Sequence, residues 1–148
     1  LICEVAAGKR KQLIIYGEDW PTFDGTCIRD YIHIMDLAEA HIKALEYLKT
    51  NRKNFLILNV GTGKGTSVKE LVNTFEKTNK ISIDYDIGER RKGDSAVSYA
   101  NSEYSHSILN WHPNRNLETM CLDGWKWYLH LINQKNKSKF KLFNLLRI

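Results

Sequence analysis

The chain has 148 residues, 43% of them apolar, which is enough to bury a real core in one ordinary domain and excludes disorder as its summary. A pI near 9.1 invites a nucleic-acid reading, but the excess charge is local. Lys135, Lys137, Lys139, Lys141 and Arg147 have no acidic counterpart between 135 and 148, and setting these five aside leaves 17 basic against 17 acidic residues.

The body is therefore neutral, and no nucleic acid is expected as a partner. Two segments follow: residues 1–133 carry the function, and residues 134–148 form a basic, low-complexity tail expected to be flexible. Cys3, Cys27 and Cys121 form no C-x-x-C pair, which fits a reducing, cytoplasmic location. No apolar run is long enough to span a bilayer, and no membrane partner is expected. Five histidines without H-E-x-x-H or a Cys/His cluster predict no metal site.

In chain order, "LICEVAAG" reads as the last turns of a helix stopped by Gly8, as though cut from something longer. "QLIIYG" is a short strand, and "EDWPTFDGTC" is a loop with Pro21 and an Asp24-Gly25 turn. A helix is predicted from Asp36, capped by Asp36 with Glu39 reciprocating, its inward stripe carrying Leu37, His41, Ala44, Leu45 and Leu48. "FLILNV" predicts a buried strand. Ser67 and Glu70 predict a capping box for the next helix, with Val68, Leu71, Val72 and Phe75 inward. "ISIDYDI" alternates like a half-buried strand, and "GERRKGDSAVSYAN" is loop. Ser102 and Asn116 start two further helices, the second with Leu117, Met120, Cys121, Tyr128 and Leu131 on one side. The pattern is α/β.

"GTGKGTS" follows a strand and precedes a helix, as a phosphate cradle does. Its spacing is wrong for a Walker loop, and Thr66 stands where a dinucleotide fingerprint has its third glycine. The preferred reading is a structural turn, with phosphate contact as the alternative. His33, between two isoleucines, reads as a hydrogen-bonded strand histidine. Asp30, His33 and Asp36 lack the activated serine that a hydrolase triad requires. What survives is Arg29 beside Asp30, and the cluster Arg90, Arg91, Lys92, Gly93, Asp94. Guanidinium forks match phosphate oxygens bidentately, and a carboxylate nearby can orient an arginine or accept from a ribose. Two such loops in a neutral domain point to an anionic ligand such as a nucleoside diphosphate.

"YGEDWPTFDGTCIRDYIHIMDLAEAH", "LNVGTGKGTSVKEL" and "RRKGDSAVSYAN", in this order and spacing, closely resemble the C-terminal part of the UDP-glucose 4-epimerase family of extended short-chain dehydrogenase/reductases. The resemblance runs from about Leu1 to Trp127. It implies an α/β fold: the C-terminal substrate-binding lobe of such an enzyme, lacking most of the Rossmann domain. It further implies that Arg29 and Arg91 clamp a diphosphate, that Asp94 meets the uridine ribose, and that Ile14, Ile15 and Tyr16 line the uracil pocket. Ser98 falls at the gate beside the hexose 2-substituent, where a small residue leaves room for an N-acetyl group.

In that family a tyrosine removes the 4-hydroxyl proton while NAD takes the 4-hydride, and the 4-keto sugar turns over and is reduced from its other face. The catalytic Tyr-x-x-x-Lys and the N-terminal glycine fingerprint are absent here. The resemblance thus implies no catalytic residue in this chain, no NAD held tightly by it alone, and no activity alone. NAD, a UDP-hexose, the missing Rossmann half and a second copy in a homodimer are the candidate partners of the full enzyme. A UDP-sugar dehydratase or decarboxylase lobe, and a non-enzymatic basic binding module, are the alternatives.

Overall fold

Gly8, at φ +66°, ends the first helix, α1 (Ile2–Ala6), where the sequence places its stop. The computed structural model describes residues 1–51 and 55–145. After α1 come β1 (Leu13–Tyr16), β2 (Ile28–Arg29), α2 (Ile34–Thr50), β3 (Thr66–Ser67), α3 (Val68–Asn79), β4 (Tyr85–Gly88), β5 (Val97–Ser98), α4 (Glu103–Leu109) and α5 (Leu117–Leu145). Two small sheets organise them. β1 lies parallel to β4, Leu13 opposite Tyr85, and β2 sits between antiparallel β3 and parallel β5.

The main core lies under β1 and α3. Alternation along β1 sends Ile15 inward, while the 3.6-residue period of α3 brings Val72 and Phe75 to the same place, with Val5, Ile83 and Cys121 completing it. Each such side chain contributes roughly 1.5–3 kcal/mol by leaving water. The predicted capping box at Ser67 and Glu70 is present in both directions. Asn116 also caps as expected, accepting from the Thr119 amide at 2.9 Å. The α5 backbone stays helical through Leu145, into the basic segment, whose last three residues lie outside the described ones.

Four expectations are corrected. Helix α2 begins earlier, at Ile34, and its cap is His33, whose Nδ1 accepts from the Met35 amide at 3.0 Å. His33 is therefore not a strand histidine. Asp36 sits inside the first turn, fully buried, where it takes the Arg115 amide at 3.0 Å and pairs with the Arg115 guanidinium, which also reaches Glu39 at 3.0 Å. A buried carboxylate persists when charge-assisted donors saturate it.

The inward stripe of α2 is also different. Ala40, Ala44 and Tyr47 pack on Leu109 and Trp111, whereas Leu45 and Leu48 are exposed, as are Ile42 and His41. The helix is apolar on two sides, and this chain covers one of them. Similarly, residues 55–60 join no ladder among the described residues. Leu58 and Val60 rest on the second core cluster while Phe55 and Ile57 face outward. No helix among the described residues is long and apolar enough to cross a membrane.

Candidate functional site

Alternation puts Cys27, Arg29 and Tyr31 on one side of the β2 segment, facing a cleft of about 390 Å³. β1 forms another wall through Leu13, Ile14, Ile15 and Tyr16, and the 91–94 loop closes it with Arg91 and Asp94. Six of the seven sequence-predicted site residues meet here: Ile14, Ile15, Tyr16, Arg29, Arg91 and Asp94. The seventh, Ser98, is the register partner of Arg29 across the β2–β5 pair. It lines an adjoining cleft of about 560 Å³ with Arg29, Asp30, Tyr99 and Ala100. Arg29 belongs to both clefts.

The open edge of β1 gives the first cleft backbone polarity. Leu13 and Gly17 donate their amides to Asp84 and Gly88 at 2.8 Å. By alternation, the amides and carbonyls of Ile14 and Tyr16 face away from β4, toward the unpaired edge. Ile15 directs its side chain into the core and, by the same alternation, its amide and carbonyl toward β4.

Charge is held at the other end. Arg29 Nη1 donates to the carbonyls of Ile28 and Ser95 at 2.8 and 2.9 Å, and its Nη2 lies 3.7 Å from Asp94. Arg91 Nε donates to Asp94 at 3.1 Å, and its guanidinium carbon lies 4.5 Å from the Tyr16 ring centre. Its terminal nitrogens meet no protein acceptor among the described residues. One carboxylate facing two guanidiniums leaves the site a net positive charge, with donors aimed at one place. Tyr31, which sequence reasoning missed, lines the cleft beside Arg29, and burial raises its phenol pKa above the ordinary value. The i, i+2 relation to Arg29 was the signal that could have found it.

The glycine turn is a brace. The Asp30 carboxylate accepts from the amides of Thr62 and Gly63 at 2.9 and 3.0 Å, from the Thr62 hydroxyl at 2.6 Å and from the Ala100 amide at 3.4 Å. A Cβ at Gly61 would collide with that carboxylate. The amides that a phosphate would need are occupied by an anion already, so "GTGKGTS" is a structural turn and Asp30 its anchor. The amides of Thr62 and Gly63 are therefore not free to cradle a dinucleotide phosphate at this turn.

A strand edge, two arginines around one carboxylate, and a small loop residue beyond them make this an α/β lobe with a preorganised cationic cleft. The chain belongs to the extended short-chain dehydrogenase/reductase family. The family whose sequence model is described as GDP-mannose 4,6 dehydratase matches residues 1–123. A UDP-glucose 4-epimerase of Neisseria meningitidis serogroup B is 44% identical over 126 residues, which are 85% of this chain and 37% of that protein. The structure of the Stenotrophomonas maltophila UDP-glucose 4-epimerase, with bound NAD and formylated UDP-arabinopyranose, superposes with a TM-score of 0.86 at 41% identity, covering 90% of this chain and 39% of that one. The UDP-Glc/GlcNAc 4-epimerase of Campylobacter jejuni superposes at 0.78 with 38% identity, covering 87% and 39%. The chain thus spans about two fifths of the length of the relatives it matches.

Proposed function

We propose that this chain supplies the UDP-sugar-binding part of a 4-epimerase that interconverts UDP-glucose and UDP-galactose. The observation that carries this is the position of Arg29, which lines both the cleft bounded by β1 and Arg91 and the cleft holding Ser98. A UDP-sugar laid across them puts uracil on the open edge of β1, the diphosphate on Arg29 and Arg91, and the hexose toward Ser98. Asp94, drawn from the guanidiniums by the incoming phosphates, is then placed to accept from the ribose. Preorganised cationic donors favour a diphosphate over an uncharged nucleoside, and a strand edge discriminates a base through its backbone.

Binding is the whole of this chain's share. The proton and hydride transfers at C4 require groups it does not carry, and the portion of the relatives outside the match is proposed to bring them, with NAD. The seat for that portion is the outward side of α2 with the 55–60 segment, where Ile42, Leu45, Phe55 and Ile57 are all exposed. A cytoplasmic location agrees with three free cysteines.

The test is turnover of UDP-galactose. The 148-residue chain alone is expected to give none. Joined to the part of the Neisseria relative outside the match, it is expected to interconvert the two UDP-hexoses, and failure of this completed enzyme to bind UDP overturns the assignment.

A further inference from the structure

Consecutive arginines in the 88–94 loop go opposite ways. Arg91 turns into the cleft, over Tyr16. Arg90 turns out of it and lies on the face of Trp20, its guanidinium carbon 4.2 Å from the ring centre, while its Nε donates to the Asp19 carboxylate at 2.7 Å and its Nη2 to the Asp19 carbonyl. Arg90 does not line the cleft.

Trp20 is itself fixed, since its indole Nε1 donates to the Tyr16 carbonyl at 3.1 Å. Gly17 makes the closure possible in two ways. Its φ of +81° suits glycine, and a Cβ there would stand 2.6 Å from Trp20 Nε1 and 2.8 Å from Arg90 Cγ. The end of β1, the 18–22 loop and the arginine loop therefore meet at Gly17, Trp20 and Arg90. Downstream, the same loop is held through the Ser95 carbonyl, which accepts from Arg29. Between those two fastenings lie Arg91 and Asp94.

We infer that Arg90, clamped between Trp20 and Asp19, is the positioning residue that presets Arg91 for the diphosphate. The inference rests on the UDP-sugar reading above and adds to it a division of labour within the Arg90-Arg91 pair. An arginine side chain has many rotamers, and one whose backbone is pinned and whose plane rests on an aromatic ring loses less freedom when it binds. Arg90 fixes the backbone from which Arg91 departs, and through Trp20 it also fixes the strand end that carries the Tyr16 ring. Spacing puts both arginines in one cluster and the resemblance singles out Arg91; the directions of the side chains give Arg90 a separate task.

The experiment is a double-mutant cycle in the completed enzyme, read by calorimetric titration with UDP and uridine and by steady-state turnover of UDP-galactose. Arg90→Ala is expected to weaken UDP by on the order of tenfold, to leave uridine nearly unchanged, and to raise KM with kcat held. Trp20→Ala should do the same, and Trp20→Phe, which keeps a ring under the guanidinium, should recover part of the loss. In an Arg91→Ala background, Arg90→Ala is expected to cost nothing more. Additive losses from Arg90→Ala and Arg91→Ala, or equal losses for UDP and uridine, overturn the positioning role. If Arg91→Ala itself leaves UDP affinity intact, the diphosphate reading falls, and the positioning role falls with it.

Discussion

Asp94 lies 3.7 Å from the Arg29 guanidinium and 3.1 Å from that of Arg91, so the two arginines share one internal anion before any ligand arrives. On the proposed reading, a diphosphate competes with that carboxylate for the two guanidiniums. Replacing Asp94 by alanine is therefore expected to act oppositely on two ligands: pyrophosphate should bind more tightly, by roughly 0.5–1 kcal/mol for the loss of a part-exposed competitor. UDP should bind more weakly, by roughly 1 kcal/mol for the missing ribose acceptor. Titration of both ligands into the completed enzyme checks this, and parallel changes would mean that Asp94 does not exchange partners.

Ser98 stands beside Arg29 in register, at the mouth of the second cleft. A serine there leaves volume for an N-acetyl group, and the completed enzyme is expected to turn over the N-acetylated UDP-hexoses as well as the plain pair. Ser98→Tyr should abolish the first activity and spare the second. Equal loss on both, or on neither, would remove Ser98 from the role of gate.

Asp30 holds three backbone amides and a hydroxyl. Asp30→Ala strands donors that the turn cannot satisfy otherwise, and a loss of roughly 2–3 kcal/mol is expected from denaturant titration of the completed enzyme. Amide exchange at Thr62 and Gly63 should rise with it. Asp30→Asn should cost less, since an amide oxygen can keep part of the set.

Asp24 gives the fold an acid limit. Burial pushes its pKa up, but hydrogen bonds from the Ser67 hydroxyl and from the Thr26 amide and hydroxyl outweigh burial and hold it below the ordinary aspartate value. A depressed folded pKa contributes stability that is present above the unfolded value of about 3.9 and lost as pH falls through the folded one. Unfolding free energy measured from pH 6 downward should fall more steeply in the parent than in Asp24→Asn, the two curves converging below about pH 4.

The parts of the molecule legible in the sequence are those whose determinants are local. The Ser67–Glu70 box, the Gly8 stop and the alternation of β1 each need only a few neighbouring residues. The residues alone singled out the two arginine loops, and the resemblance supplied Ile14, Ile15 and Tyr16; the structure puts all six around one cleft. What failed depended on partners far away in sequence. The apolar run at 55–60 reads as a buried strand, yet none of its residues is buried and it joins no ladder among the described residues, because a local run does not say what would cover it. The α2 stripe erred for the same reason. Asp36 passed for a cap because nothing local reveals Arg115. Tyr31 and the Arg90–Trp20 contact needed side-chain directions that spacing gives only once the strand is fixed.

The most direct measurement is the affinity of the completed enzyme for UDP against that for uridine, in the parent and in the Arg29→Ala and Arg91→Ala variants. If the two arginines hold the diphosphate, each substitution should weaken UDP by roughly 1.5–3 kcal/mol, the scale of a charge-assisted hydrogen bond, and leave uridine nearly untouched. UDP and uridine losing affinity equally, or UDP losing none, would contradict the account.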